Sequence, residues 1–169
     1  TYRGNAKQIR AAAQAIAQAE RPVLYVGGGV VISDAQEELV QLAELMQIPA
    51  VTTLMGKGAF PASHPLNFGP VGMHGAKYAN LTITESDLII AVGTKFSDRT
   101  YSPHTEPSKD CKVIQIDIDH TQFGKANREG VNIRCDAKKA LNLLIDAIGG
   151  SVSHDSWIRQ AKEYKARRN

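Results

Sequence analysis

The chain has 169 residues, 22% of them charged and 43% hydrophobic, the make-up of one globular domain able to bury roughly 70% of its unfolded surface. Its net charge of +3 gathers at the end, in Lys162, Lys165, Arg167 and Arg168, which reads as a solvated helix end and not a nucleic-acid surface. No apolar run approaches the ~18 residues of a membrane span and no signal-peptide pattern is present, so the expectation is a cytoplasmic protein with no membrane partner. Cys111 and Cys135 lack metal-binding spacing and read as free thiols. The chain opens at Thr1 and not at Met, as an excised domain or a processed chain would.

Residues 4–20 are rich in Ala and Gln, with Ile9, Ala13, Ile16 and Ala17 on one face, which predicts a helix stopped by Arg21-Pro22. Val23 to Val26 is a buried strand, followed at once by Gly27, Gly28 and Gly29. Ser33 and Asp34 are candidate N-caps for a helix in which Leu39, Leu42, Ala43 and Met46 recur at helical spacing. Pro49 to Thr53 predicts a short third strand ending in polar residues, and residues 54–75, rich in Gly, Pro and His, read as irregular and functional. A short helix over 76–84 leads into Leu88 to Val92, an apolar run too short for a helix and therefore a strand buried on both faces. Gly93 ends that strand, and Thr94 to Arg99 carries two cations, a carboxylate, two hydroxyls and an aromatic.

Tyr101 to Asp110 reads as a surface excursion, Lys112 to Asp119 as a strand closing in carboxylates, and Val131 to Arg134 as an edge strand. Asp136 caps a helix with Ala140, Leu141, Leu144, Ile145 and Ile148 on one face, ended by Gly149-Gly150. Ser151 to Asp155 is a linker, and 156–168 a basic amphipathic helix. Strands alternate with helices throughout, which predicts an α/β fold: a three-layer α/β/α sandwich, Rossmann-like, with a mostly parallel sheet of five or six strands. Residues 1–150 form the domain, and 151–169 lead out of it.

In such sheets ligands bind outside the carboxyl ends of the strands. Those ends carry Gly27–Gly29, Thr52–Thr53, Gly93–Arg99 and Asp117–Asp119, which would converge on one edge. Glycines next to a helix start suit a phosphate, an acidic strand end suits a ribose or ribityl hydroxyl, and Lys95 and Arg99 would balance a diphosphate. A nucleotide-like ligand follows, although position 32 is Ile and the G-x-G-x-x-G fingerprint is absent, so a plain tight turn stays open as the alternative for Gly27–Gly29. Side-chain catalysis is not expected. The five histidines lack zinc spacing, no Ser lies in G-x-S-x-G, and Gly56-Lys57-Gly58 is no phosphate-binding P-loop.

The blocks Arg21 to Gly29, Thr52 to Pro61, His64-Pro65, Gly72 to Gly75, Ala79-Asn80, Asp87 to Ile89, Phe96 to Arg99, Ile116 to Asp119 and Asp136-Ala137 come in an order that resembles acetolactate (acetohydroxyacid) synthase. The resemblance covers about residues 2–148 and is to the central domain of the large catalytic subunit, which belongs to the thiamine diphosphate-dependent enzymes. It implies a domain of the type shared with deoxyhypusine synthase-like NAD/FAD-binding folds, here holding FAD that takes no net redox part. It implies a parent enzyme, a transferase and carboligase, that condenses pyruvate with pyruvate or 2-ketobutyrate in branched-chain amino acid biosynthesis.

Carried over by position, Gly27, Gly28 and Gly29 would line the diphosphate and ribityl region, with Thr53 and Leu54 along the cofactor. Gly72, Met73 and His74 would pack near the flavin, Gly93, Thr94 and Lys95 form the next contact loop, Asp117 and Ile118 hold the adenosine end, and Asp136 closes that side. Arg99 would also hold the carboxylate of the second keto acid, with Met73 and Asp98 nearby. Thiamine diphosphate and Mg2+ would be bound by flanking domains of the same chain, so this chain alone is expected to be inactive, and it binds no metal itself. A homodimer or tetramer and a regulatory subunit are implied as partners. Lys95 stands where the family commonly has Arg, which favours an alternative: a structural or ADP-binding central domain of another thiamine diphosphate carboligase, decarboxylase or oxidase.

Overall fold

The computed structural model describes residues 6–53, 56–72, 76–94, 107–118, 129–149 and 154–167. Six strands build its centre: Pro22–Val26 (β1), Ala50–Thr52 (β2), Asn67–Pro70 (β3), Leu88–Val92 (β4), Lys112–Asp117 (β5) and Gly130–Arg134 (β6). Every pairing is parallel and the spatial order is β3-β2-β1-β4-β5-β6. The chain thus winds outward from β1 to β3, returns to β4 on the other side of β1, and winds outward again to β6.

The two innermost strands are buried at every position, because each alternate residue enters a different core. Leu24, Val26, Ile90 and Val92 face one layer, formed by Ala6–Gln18 (α1), Gly29–Ile32 (α2), Gln36–Met46 (α3) and Ala137–Ile148 (α5). Val23, Tyr25, Ile89 and Ala91 face the other, formed by Lys77–Thr84 (α4) and Asp155–Ala166 (α6). Helices on both faces explain why these strands read as continuous apolar runs. Among the described residues no helix is long and apolar enough to cross a membrane.

The final helix is sewn onto the sheet along its length. Trp157, 2% exposed, donates its indole N–H to the Pro22 carbonyl at 2.8 Å. At the start of α6 the buried His154 places Nδ1 2.6 Å from the Met46 oxygen and Nε2 3.1 Å from the Ala19 oxygen, at the ends of α3 and α1. Near the other end Lys165 donates to the Asn67 carbonyl at 3.1 Å and lies over the rings of Phe68 and Tyr78.

Several expectations are corrected. The stretch 54–75 is not irregular throughout, since Asn67–Pro70 is the edge strand β3 and Lys57–Ala59 a 3-10 turn. Four residues containing Gly69 and Pro70 give no alternation to read, and a proline at the end of a strand is tolerated at such an edge. Ser33 and Asp34 do not cap α3. The chain makes the single turn α2 first, Asp34 takes φ 54°, and α3 begins after Ala35 with no side-chain cap, Glu37 and Glu38 supplying the negative charge its first turn favours. In α1 Ala12 is buried and Ala17 is exposed. The cap at α5 is as expected, with Lys139 N donating to Asp136 Oδ2 at 3.3 Å.

Burial pushes the Tyr25 phenol from 10.0 up to about 12. Between those values the unfolded chain has lost the proton that the fold retains, so stability falls as pH rises through pH 10 to 12, by at most about 2–3 kcal/mol. Tyr25→Phe is expected to flatten that decline, read as the urea midpoint against pH.

Candidate functional site

Because all six strands are parallel, their carboxyl ends share one edge. That edge receives Gly27–Gly29 from β1, Thr53 from β2, Gly72 from β3, Gly93 and Thr94 from β4, Asp117 and Ile118 from β5 and Asp136 from β6. The structure therefore brings together the described members of the predicted site. Leu54, Met73, His74, Lys95, Asp98, Arg99 and Asp119 lie outside the described residues.

The centre of the edge lies between β1 and β4, where the winding reverses and a doubly wound sheet opens a crevice. Its floor is main chain against main chain. Gly27 N donates to Val92 O at 2.9 Å, Gly29 N to Gly93 O at 3.0 Å, and Gly93 N to Ile116 O at 3.1 Å. A Cβ on Gly27 would lie 2.3 Å from the Gly93 oxygen, one on Gly29 2.7 Å from the Gly93 Cα, and one on Gly93 2.7 Å from the Gly29 Cα. The outer glycines of the triplet are thus required by the neighbouring turn before any ligand is considered, and their amides are committed to it. The Gly28 amide is in neither bond. The tight-turn reading of this triplet holds for Gly27 and Gly29.

Beside this floor Gly56 packs its Cα against β1, where a Cβ would stand 2.2 Å from Val26 O. Its amide donates to both the carbonyl and the hydroxyl of Thr53, each at 3.1 Å. The Thr53 hydroxyl accepts there and still has its own proton to donate outward. Thr94 and Thr52 are 2% and 1% exposed, and among the described residues neither hydroxyl has a partner. Buried polar atoms are nearly always hydrogen-bonded, so two orphans at the crevice end of the sheet fit a polar ligand or ordered water beside them.

Toward β6 the edge turns charged. Asp117 and Arg134 are register partners, Arg134 Nε donates to Ile118 O at 3.3 Å, and Cys135 N donates to Asp117 O at 3.2 Å. Ile118 is 65% exposed, an apolar surface beside a carboxylate, and Asp136 commits one oxygen to capping α5. Burial pushes the Cys135 thiol up, with Lys139 pulling against it, so it stays a poor nucleophile. Toward β3, Asn80 grips the backbone of Gly72 through both ends of its carboxamide. The sequence alone assigns Asn80 no role. Its signal was only an amide one turn into a helix that follows a glycine-rich loop.

An all-parallel, doubly wound sheet with helices on both faces and a glycine-floored switch point defines the Rossmann-like class of α/β domain. The chain belongs to the family described as the thiamine pyrophosphate enzyme, central domain, whose model matches residues 9–144. It is similar to a probable acetolactate synthase large subunit of Methanocaldococcus jannaschii, at 47% identity over 164 residues covering 96% of this chain and 28% of that protein. An acetolactate synthase of Mycobacterium leprae is 49% identical over 165 residues, covering 92% and 26%. An acetolactate synthase large subunit of Corynebacterium glutamicum is 42% identical over 167 residues, covering 96% and 27%. The chain thus spans about a quarter of the length of these curated relatives.

Gly27→Ala is expected to cost at least about 3 kcal/mol of stability, because the new methyl meets backbone that cannot swing away. Denaturant melts compared with those of the Gly58→Ala variant, where a Cβ meets nothing within 4 Å, check this.

Proposed function

We propose that this chain is the central domain of an acetolactate synthase large subunit and that its crevice holds FAD. The observation that carries the reading is the glycine-floored switch point between β1 and β4, with the unpartnered Thr94 hydroxyl beside it, in a chain whose relatives bear that enzyme's name. Gly28, with Gly27 and Gly29 shaping the turn, takes the diphosphate and ribityl region. Thr53 and Leu54 run along the cofactor, and Gly72, Met73 and His74 lie at the flavin. Gly93, Thr94, Lys95 and Arg99 close the second side. Asp117 and Ile118 take the adenosine end, and Asp136 offers its remaining carboxylate oxygen there.

In the parent enzyme, flanking domains hold thiamine diphosphate and Mg2+, which supply the decarboxylation and carbon–carbon bond formation between pyruvate and a second 2-keto acid. This domain's residues bind and orient. Arg99 would present a planar fork to the carboxylate of the second keto acid, a task for which lysine is no substitute. Residues 1–150 form the nucleotide-binding unit, and 151–169, whose helix α6 packs on that unit's sheet, carry the chain toward the next domain. The parent is a cytoplasmic homodimer or tetramer, joined by a regulatory subunit.

The test is titration of FAD into the chain with its flanking domains restored, following flavin fluorescence, with FMN, NAD and ADP as controls. Saturable quenching by FAD alone is expected, and Thr94→Val weakens it roughly threefold to tenfold, the worth of one hydrogen bond. Arg99→Ala raises the KM for the second keto acid and leaves FAD affinity less affected. Binding of ADP without FAD would replace this reading with an ADP-binding relative, and acetolactate formation by residues 1–169 alone would refute the assignment of catalysis to the flanking domains.

A further inference from the structure

Asn80 lies in the first turn of α4, with its amide donating to Ala76 O at 3.1 Å. Its side chain does not face solvent or the core alone. Oδ1 accepts from Gly72 N at 2.9 Å, and Nδ2 donates to Gly72 O at 3.0 Å. Both polar atoms of one carboxamide are therefore spent on the two peptide groups of a single residue, eight positions earlier. Gly72 is where the chain leaves the sheet, one residue after Val71 N makes its bond to Thr52 O at 3.0 Å.

The backbone at Gly72 has φ 118°, a region that only glycine enters at low cost. A Cβ there would meet nothing within 4 Å, so this glycine is required by its dihedral angle and not by crowding, the reverse of Gly27 and Gly29. A residue with that much freedom does not hold one direction without help. The Asn80 clamp supplies it, fixing the N–H and the C=O on either side of the turning bond.

We infer that Asn80 is a positioning residue of the crevice: by setting the backbone at Gly72 it aims the end of β3 at a bound flavin nucleotide. The inference rests on the reading of the crevice as an FAD site. A loop stitch needed only for folding would require the connection between β3 and α4 to close and nothing more. A positioning role requires the direction of departure at Gly72 to matter to the ligand.

The experiment uses the full-length protein carrying Asn80→Ala or Asn80→Asp. Asp keeps the acceptor for Gly72 N and loses the donor to Gly72 O. FAD affinity, the visible absorption envelope of the bound flavin and the thermal midpoint without FAD are measured together. The expected result is an FAD affinity lowered about tenfold or more in Asn80→Ala, less in Asn80→Asp, with an altered flavin envelope in both. The thermal midpoint shifts by only a few degrees, roughly the effect of one lost hydrogen-bonded pair. Affinity and spectrum matching wild type in a folded variant would overturn the inference while leaving FAD binding intact. So would an affinity loss that disappears once the folded fraction is counted. If Asn80→Ala does not fold, Asn80→Asp decides by the same criteria. Wild type failing to bind FAD is the separate pattern that removes the flavin reading and this inference with it.

Discussion

Between β1 and β4 two turns meet with no side chain between them, and the site depends on that contact. Three hydrogen bonds tie the turns to each other and to β5, at 2.9, 3.0 and 3.1 Å. The same closeness sets the residue types, since a methyl on Gly27, Gly29 or Gly93 would overlap a backbone atom at under 3.0 Å. A floor made of peptide groups has consequences for chemistry. It can present amides, carbonyls and short hydroxyls at fixed positions with no rotamer to order, which suits an elongated polar ligand lying across it. It offers few groups that titrate.

The sheet supporting this floor is covered unequally. One face packs a large aliphatic core under α1, α3 and α5, and the other a smaller core under α4 and α6 in which Trp157, Phe68 and Tyr25 supply much of the volume. The smaller side is compensated by polar stitching. His154, Trp157 and Lys165 bind carbonyls at the end of α3, the end of α1, the start of β1 and the edge strand β3. A helix fixed at both ends and its middle behaves as part of the domain in the described residues.

Much of this was legible in the sequence for physical reasons. Strands buried on both faces appear as unbroken apolar runs, so β1, β4 and β5 were visible, and with them the row of polar strand ends that makes the site. Asp136 announced its helix through a cap. What stayed hidden is equally physical. β3 is four residues at an edge, with no buried alternation to advertise it, and α2 is a single turn that displaced the expected cap from Ser33 and Asp34. The clamp from Asn80 to Gly72 is a long-range pairing of a side chain with backbone, which no local periodicity encodes. Gly56 looked like part of a failed phosphate loop, whereas its work is to let the loop after β2 touch Val26.

The glycines divide by what demands them, and the division separates architecture from ligand chemistry. Gly27, Gly29, Gly56 and Gly93 stand where another backbone occupies the space of a Cβ, so their presence would be explained in a domain that bound nothing. Gly72 stands in open space with a dihedral angle that only glycine adopts at low cost, held by a dedicated side chain, an arrangement that packing does not require. Thr94 and Thr52 likewise bury hydroxyls that packing leaves without partners. A hydroxyl buried this deeply calls for a polar neighbour, whether a ligand or ordered water. Tyr25 and Cys135 are held protonated by burial, and a phenol or thiol so held is a poor proton acceptor near neutral pH. Of the described residues, these two buried groups are thus no candidates for moving protons.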